Sequence, residues 1–158
     1  MPPYIHTIPT SQALALLRTR CTLPLTLGHK PLIVLDFDDT MWNKNGTANN
    51  EVVEWVRWAI HQHGDDTSCL CIVTARNSNS EESRAAVQIC LSHLGLDHIF
   101  QIFRPVEVKN VLKDIAVWKA LERRKLKDQG YNIIAAIGDN WGDCIDPMVW
   151  GTTQLAPL

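Results

Sequence analysis

Short apolar runs that alternate with helix-forming stretches constrain this chain most. Residues 32–36, 69–73, 99–103 and 132–137 ("LIVLD", "CLCIV", "IFQIF", "NIIAAI") are largely apolar. Apolar runs of this length without period-two alternation form strands buried on both faces. Helical segments lie between them. One covers 51–63, with Asn50 as its cap and Gly64 as its end; one opens at Ser80 and stops at Gly95; the longest covers 110–128. Strands alternating with helices predict an α/β fold, a Rossmann-like three-layer sandwich with a mostly parallel central sheet. A short helix at 11–20 and a turn-rich linker make residues 1–30 an N-terminal appendage to a single domain at 31–158. "TTQLA" at 152–156 is a candidate fifth strand.

A chain of 158 residues suits one domain with its own core. The formal net charge of −2 gives no basic excess to attract a polyanion. The five cysteines, at 21, 69, 71, 90 and 144, read as buried free thiols in a reducing compartment, because no second close pair completes a zinc site. No apolar segment approaches ~18 residues, so no membrane span is expected. The N-terminus lacks the pattern of a signal peptide, so the expected location is cytoplasmic.

In open α/β sheets, ligands bind beyond the carboxyl ends of the strands. The first predicted strand runs into "DFDDTMW", which supplies Asp36, Asp38, Asp39 and Thr40. The second runs into Thr74, Ala75 and Arg76, and the fourth into "GDNWGD", with Asp139 and Asp143. Carboxylates gathered in one crevice repel each other by about 4 kcal/mol per pair at ~4 Å, so they require a cation. Hard oxygen donors point to Mg²⁺, which would in turn hold a phosphate. Trp42 and Trp141 flank the crevice in loops, where they are able to stack on an aromatic substrate or pack on their own domain.

These motifs, in this order, resemble those of the haloacid dehalogenase superfamily across roughly residues 31–145. The resemblance implies an aspartyl-phosphate enzyme. Asp36 would be the nucleophile and Asp38 the general acid and base. Thr40, Thr74 and Arg76 would contact phosphate. Mg²⁺ would sit among Asp36, the Asp38 carbonyl and Asp139, with Asp143 holding its water. A lysine on or just before the longest helix would stabilise the phosphoryl oxygens. The stretch "VLKDIAVWKAL" resembles that of bacteriophage polynucleotide phosphatases and favours Lys113, with Lys109 as the alternative and Lys119 expected in solvent. The gaps Thr40–Asn50 and Thr74–Lys113 are too short for an inserted cap domain. An open site suits a bulky phosphorylated substrate: a nucleotide or polynucleotide end, a phosphoprotein or a large phosphometabolite. "DFDDTMW" also resembles the capless magnesium-dependent phosphatases, whose tryptophan position Trp42 matches.

The expected activity is therefore a Mg²⁺-dependent phosphomonoesterase. A catalytically silent domain that binds a phosphorylated partner, and a phosphotransferase that passes the same intermediate to an alcohol, are the alternatives. A receiver domain is disfavoured because no aspartate ends the second predicted strand. The oligomeric state is not legible.

Overall fold

The computed structural model describes residues 6–8, 10–21, 30–144 and 155–157. Its elements run β1 (His6–Ile8), α1 (Thr10–Cys21), β2 (Lys30–Leu35), α2 (Asn50–Gln62), β3 (Leu70–Asn77), α3 (Glu81–His93), β4 (Phe100–Arg104), α4 (Leu112–Asp128), β5 (Tyr131–Ile137) and β6 (Leu155–Pro157). The central sheet has four strands, all parallel, in the order β4-β3-β2-β5. Helices cover both of its faces.

The apolar runs explain the two faces. Along β2, Ile33 and Leu35 enter one core with Leu70 and Ile72 of β3. Leu32 and Val34 enter a second core with Cys71 and Val73. The first is covered by α1, α2 and α3 through Leu14, Leu17, Val52, Trp55, Val56, Val87 and Leu91. The second is covered by α4 through Trp118 and Leu126. Each fully buried large side chain of this kind contributes roughly 1.5–3 kcal/mol. Trp55 also donates its indole N–H to the Leu14 carbonyl at 3.0 Å, which ties α1 to α2.

Two features of the sheet position the site. The chain moves from β2 outward through β3 to β4, then crosses over α4 to β5 on the far side of β2. The strand order therefore reverses beside β2, and the crevice at such a switch point is where α/β sheets bind ligands. The β2–β5 ladder also slips by one residue. Leu32 faces Ile133 but Ile33 faces Ala135, so Ile134 is an extra, bulged residue. Beyond the slip the register holds to Leu35↔Ile137.

Several boundaries differ from the sequence expectation. β3 continues past Thr74 to Asn77, so Thr74 lies inside the strand. The N-cap of α2 is Asn49, not Asn50. The long helix begins at Leu112, behind an N-cap at Val111. The candidate fifth strand falls partly outside the described residues. The part that is described, β6, pairs in parallel with β1 in a separate two-stranded sheet. No helix among the described residues is long and apolar enough to cross a membrane.

Candidate functional site

Asp36 directly follows β2, and its N–H donates to the Ile137 carbonyl at 2.9 Å, which extends the ladder by one bond. The chain then turns tightly. Thr40, Met41 and Trp42 all direct their N–H groups to the Phe37 carbonyl, and Asp39 takes φ +59°. This turn buries Thr40, whose hydroxyl donates to Asp36 Oδ2 at 3.2 Å. The other Asp36 oxygen, Oδ1, accepts from Lys119 Nζ at 2.8 Å. Lys119 also donates to Asp143 Oδ1. All three side chains are buried, Lys119 to 4% exposure.

The lysine that the structure brings to the carboxylates is Lys119, and the expected Lys113 and its alternative Lys109 do not join them. Lys113 is exposed in the first turn of α4, and Lys109 is exposed ahead of it. Helical phase is the reason. Leu112, Ile115, Ala116 and Lys119 recur at three- and four-residue spacing and all line one cleft, whereas Lys113 leads to a different stripe.

Asp139 completes the group. One carboxylate oxygen from each of Asp36, Asp139 and Asp143 lies within 4.8 Å of the others. Lys119 is shared by two of these three acidic groups, so its one charge does not balance all three when they are ionised. Burial pushes the Asp36 carboxyl up to about 8; Lys119 pulls it down and Asp143 pushes it up again. Burial wins because Lys119 divides its charge between two carboxylates. Asp139 is also raised, first by burial, with the charges of Asp143 and Asp39 adding. Burial pulls Lys119 down, but Asp36 and Asp143 outweigh it, so its pKa is raised and it stays a cation. Three carboxylates with oxygen-only donors fit a hard cation.

The turn that carries Asp143 is locked to α4. Buried Arg123, one helical turn beyond Lys119, donates to the carbonyls of Gly142 at 3.2 Å and Asp143 at 2.9 Å. Gly142 lies so close to the helix that a β-carbon there would sit 2.6 Å from Ala116 Cβ. A β-carbon on Gly138 would sit 2.2 Å from Asp143 Cβ. Gly142→Ala must push the turn off the helix and is expected to destabilise the protein by about 1–3 kcal/mol, read as a lower unfolding midpoint. An unchanged midpoint would mean that the turn yields freely. Arg123 was not singled out from sequence. Its signal was a cation four residues after Lys119, on the same stripe as Ala116.

The other expected residues fall around this centre. Asp38 does not join the three-carboxylate group. Its carboxylate is gripped by Arg76 in a bidentate pair, Nε to Oδ2 at 2.8 Å and Nη2 to Oδ1 at 2.9 Å. Arg76 also lies over the Phe37 ring, 5.5 Å from its centroid. Thr74 is fully buried and does not line the cleft; its hydroxyl accepts the Arg76 N–H at 3.2 Å, so it shapes the strand end that carries Arg76. Trp42 packs against the larger core and does not line the cleft either. The side chain of Trp141 lies outside the described residues. Asp39 lines the cleft and pairs with Lys44 at 3.7 Å. The cleft, about 140 Å³, is lined by acidic side chains, Asp36, Asp38, Asp39 and Asp139 among them, and by apolar ones, Ala75, Leu112, Ile115 and Ala116.

No protein-family model matches the chain, and no curated protein matches it.

Proposed function

We propose that this protein is a Mg²⁺-dependent phosphomonoesterase of the haloacid dehalogenase type, without a cap domain, working through an aspartyl-phosphate on Asp36. The observation that carries this reading is the buried Asp36–Lys119–Asp143 arrangement with Asp139 beside it, at the switch point of a parallel sheet. A carboxylate nucleophile, a fixed cation and a divalent-ion site in one crevice are the parts that phosphoryl transfer needs.

Asp36, Asp139 and Asp143 would hold the cation, which supplies charge neutralisation at the phosphoryl oxygens when bound. Thr40 holds Asp36 Oδ2 in place, and Lys119 supports the phosphoryl group beside Oδ1. An Asp36 oxygen attacks phosphorus, the ester P–O bond breaks, and the leaving oxygen takes a proton from Asp38. Asp38 then takes a proton from water, whose oxygen attacks the phosphorus of the acyl phosphate. Inorganic phosphate leaves and Asp36 is regenerated. Asp38, which Arg76 grips, becomes available for this when Arg76 turns from it to the phosphoryl oxygens. A reducing, cytoplasmic setting would keep the thiols of Cys71, Cys90 and Cys144 reduced.

The Asp38–Arg76 pair also favours a second reading, a silent domain that binds phosphate without cleaving it, because it occupies the group that would act as acid. Hydrolysis of 4-nitrophenyl phosphate separates the two. The phosphatase is expected to turn over with Mg²⁺, to stop in chelator, and to yield acid-stable labelled protein from a ³²P-ester only while Asp36 is present. Mg²⁺-dependent turnover that survives Asp36→Asn would sink the mechanism. Phosphate binding without turnover would favour the silent domain.

A further inference from the structure

Val106, Val111 and Leu112 are all exposed, Leu112 at 68%. Single exposed apolar residues are ordinary, but these fall within one short stretch that leads into the cleft. The stretch is firmly held. Val108 packs against the second core. Buried Arg104 donates to the Val108 carbonyl and, at 2.8 Å, to that of Ala75 on the cleft wall. One guanidinium therefore ties the stretch to the cleft. The start of α4 also breaks a local rule. Its N-cap is Val111, with no side-chain cap, although serine, threonine, aspartate or asparagine is preferred there and Asn110 stands one residue earlier. Such local conflicts are expected where function overrides stability.

Leu112 is the residue of this stretch that lines the cleft, together with Ile115, Ala116 and Ala75. The neighbouring Lys109 and Lys113 do not line it, so this wall offers no charge to a polyanionic body. A phosphate held beside Lys119 would leave these apolar lining residues for the rest of the substrate.

We propose that Leu112, backed by Ile115 and Ala75, forms the leaving-group wall, and that the preferred substrate is a phosphomonoester with an apolar body next to the ester oxygen rather than a small hydroxylated phosphate. This rests on the phosphomonoesterase reading above. The test compares 2-phenylethyl phosphate with ethyl phosphate in Mg²⁺, two alkyl esters of similar intrinsic reactivity. In the full chain kcat/KM is expected to favour the phenylethyl ester about tenfold or more. Leu112→Ser is expected to bring the ratio within about twofold of one. A ratio near one in the parent, or a ratio that Leu112→Ser leaves unchanged, overturns the wall while leaving the phosphatase standing. Hydrolysis of neither ester by protein that turns over 4-nitrophenyl phosphate overturns the wall alone, whereas failure on all three overturns the phosphatase reading and the wall with it. A dimer in sedimentation that Leu112→Ser dissociates assigns the apolar lip to a second copy and overturns the substrate role.

Discussion

Lys119→Met is expected to lower kcat/KM for an aryl phosphate by about 10³-fold, while Lys113→Met stays within about twofold of the parent. The contrast follows from burial. Lys119 is the cation shared by Asp36 and Asp143 inside the protein, and methionine keeps its bulk but not its charge. Lys113 is exposed and bonds to neither. Removing one member of a buried charged group typically costs about 3–5 kcal/mol. Circular dichroism should therefore accompany the kinetics. A folded Lys119→Met protein with near-parental turnover would remove Lys119 from the phosphoryl site. A large loss in Lys113→Met would restore the residue that the sequence resemblance favoured.

Asp36→Asn should combine loss of turnover with a gain in stability. The Asp36 carboxyl lies at about 8 in the folded protein, raised first by burial, against an ordinary value of 3.8. A raised acid contributes stability that is fully present below its unfolded pKa and is lost as pH rises through the folded one. Between pH 4 and 8 the metal-free parent therefore weakens on this account, and asparagine, which does not ionise, does not. The variant should match the parent near pH 4 and be the more stable of the two by pH 8, read as a higher unfolding midpoint. Mg²⁺ at about a hundred times its Kd should return about 2.7 kcal/mol to the parent and less to the variant. Unfolding scans in chelator and in Mg²⁺ across this pH range measure both effects. A variant less stable than the parent at pH 8 in chelator would mean that Lys119 holds Asp36 ionised.

The architecture was legible in the sequence because buried parallel strands carry apolar runs, and helices between them carry caps and stops. Asp36, Asp139 and Asp143 were legible for a related reason, since strand ends of a parallel sheet share one edge. Side-chain direction was not. Lys119 lies in an apolar stripe of α4, and only the docked helix shows that the stripe faces Asp36 rather than oil. Thr74 was placed at a strand end because the apolar run stops there, but the backbone ladder resumes at Asn77↔Arg104 after a change of register. Nothing local in the sequence marks Arg104 and Arg123 as buried; their carbonyl partners, Ala75 and Val108 for one and Gly142 and Asp143 for the other, come from distant or folded segments.

The bulge at Ile134 makes β5 a ruler for the chemistry. It lets Ile133 point to one core and Ala135 to the other in step with Leu32 and Ile33, and so delivers Ile137 opposite the residue before Asp36. A β5 shorter by that residue would either turn its apolar side chains to the wrong faces or draw Asp139 back by one strand step, about 3.3 Å. That distance is most of the span over which the three carboxylates meet. Length changes in the exposed Lys44–Thr47 turn leave the charged centre where it is, whereas a single-residue change in β5 takes it apart.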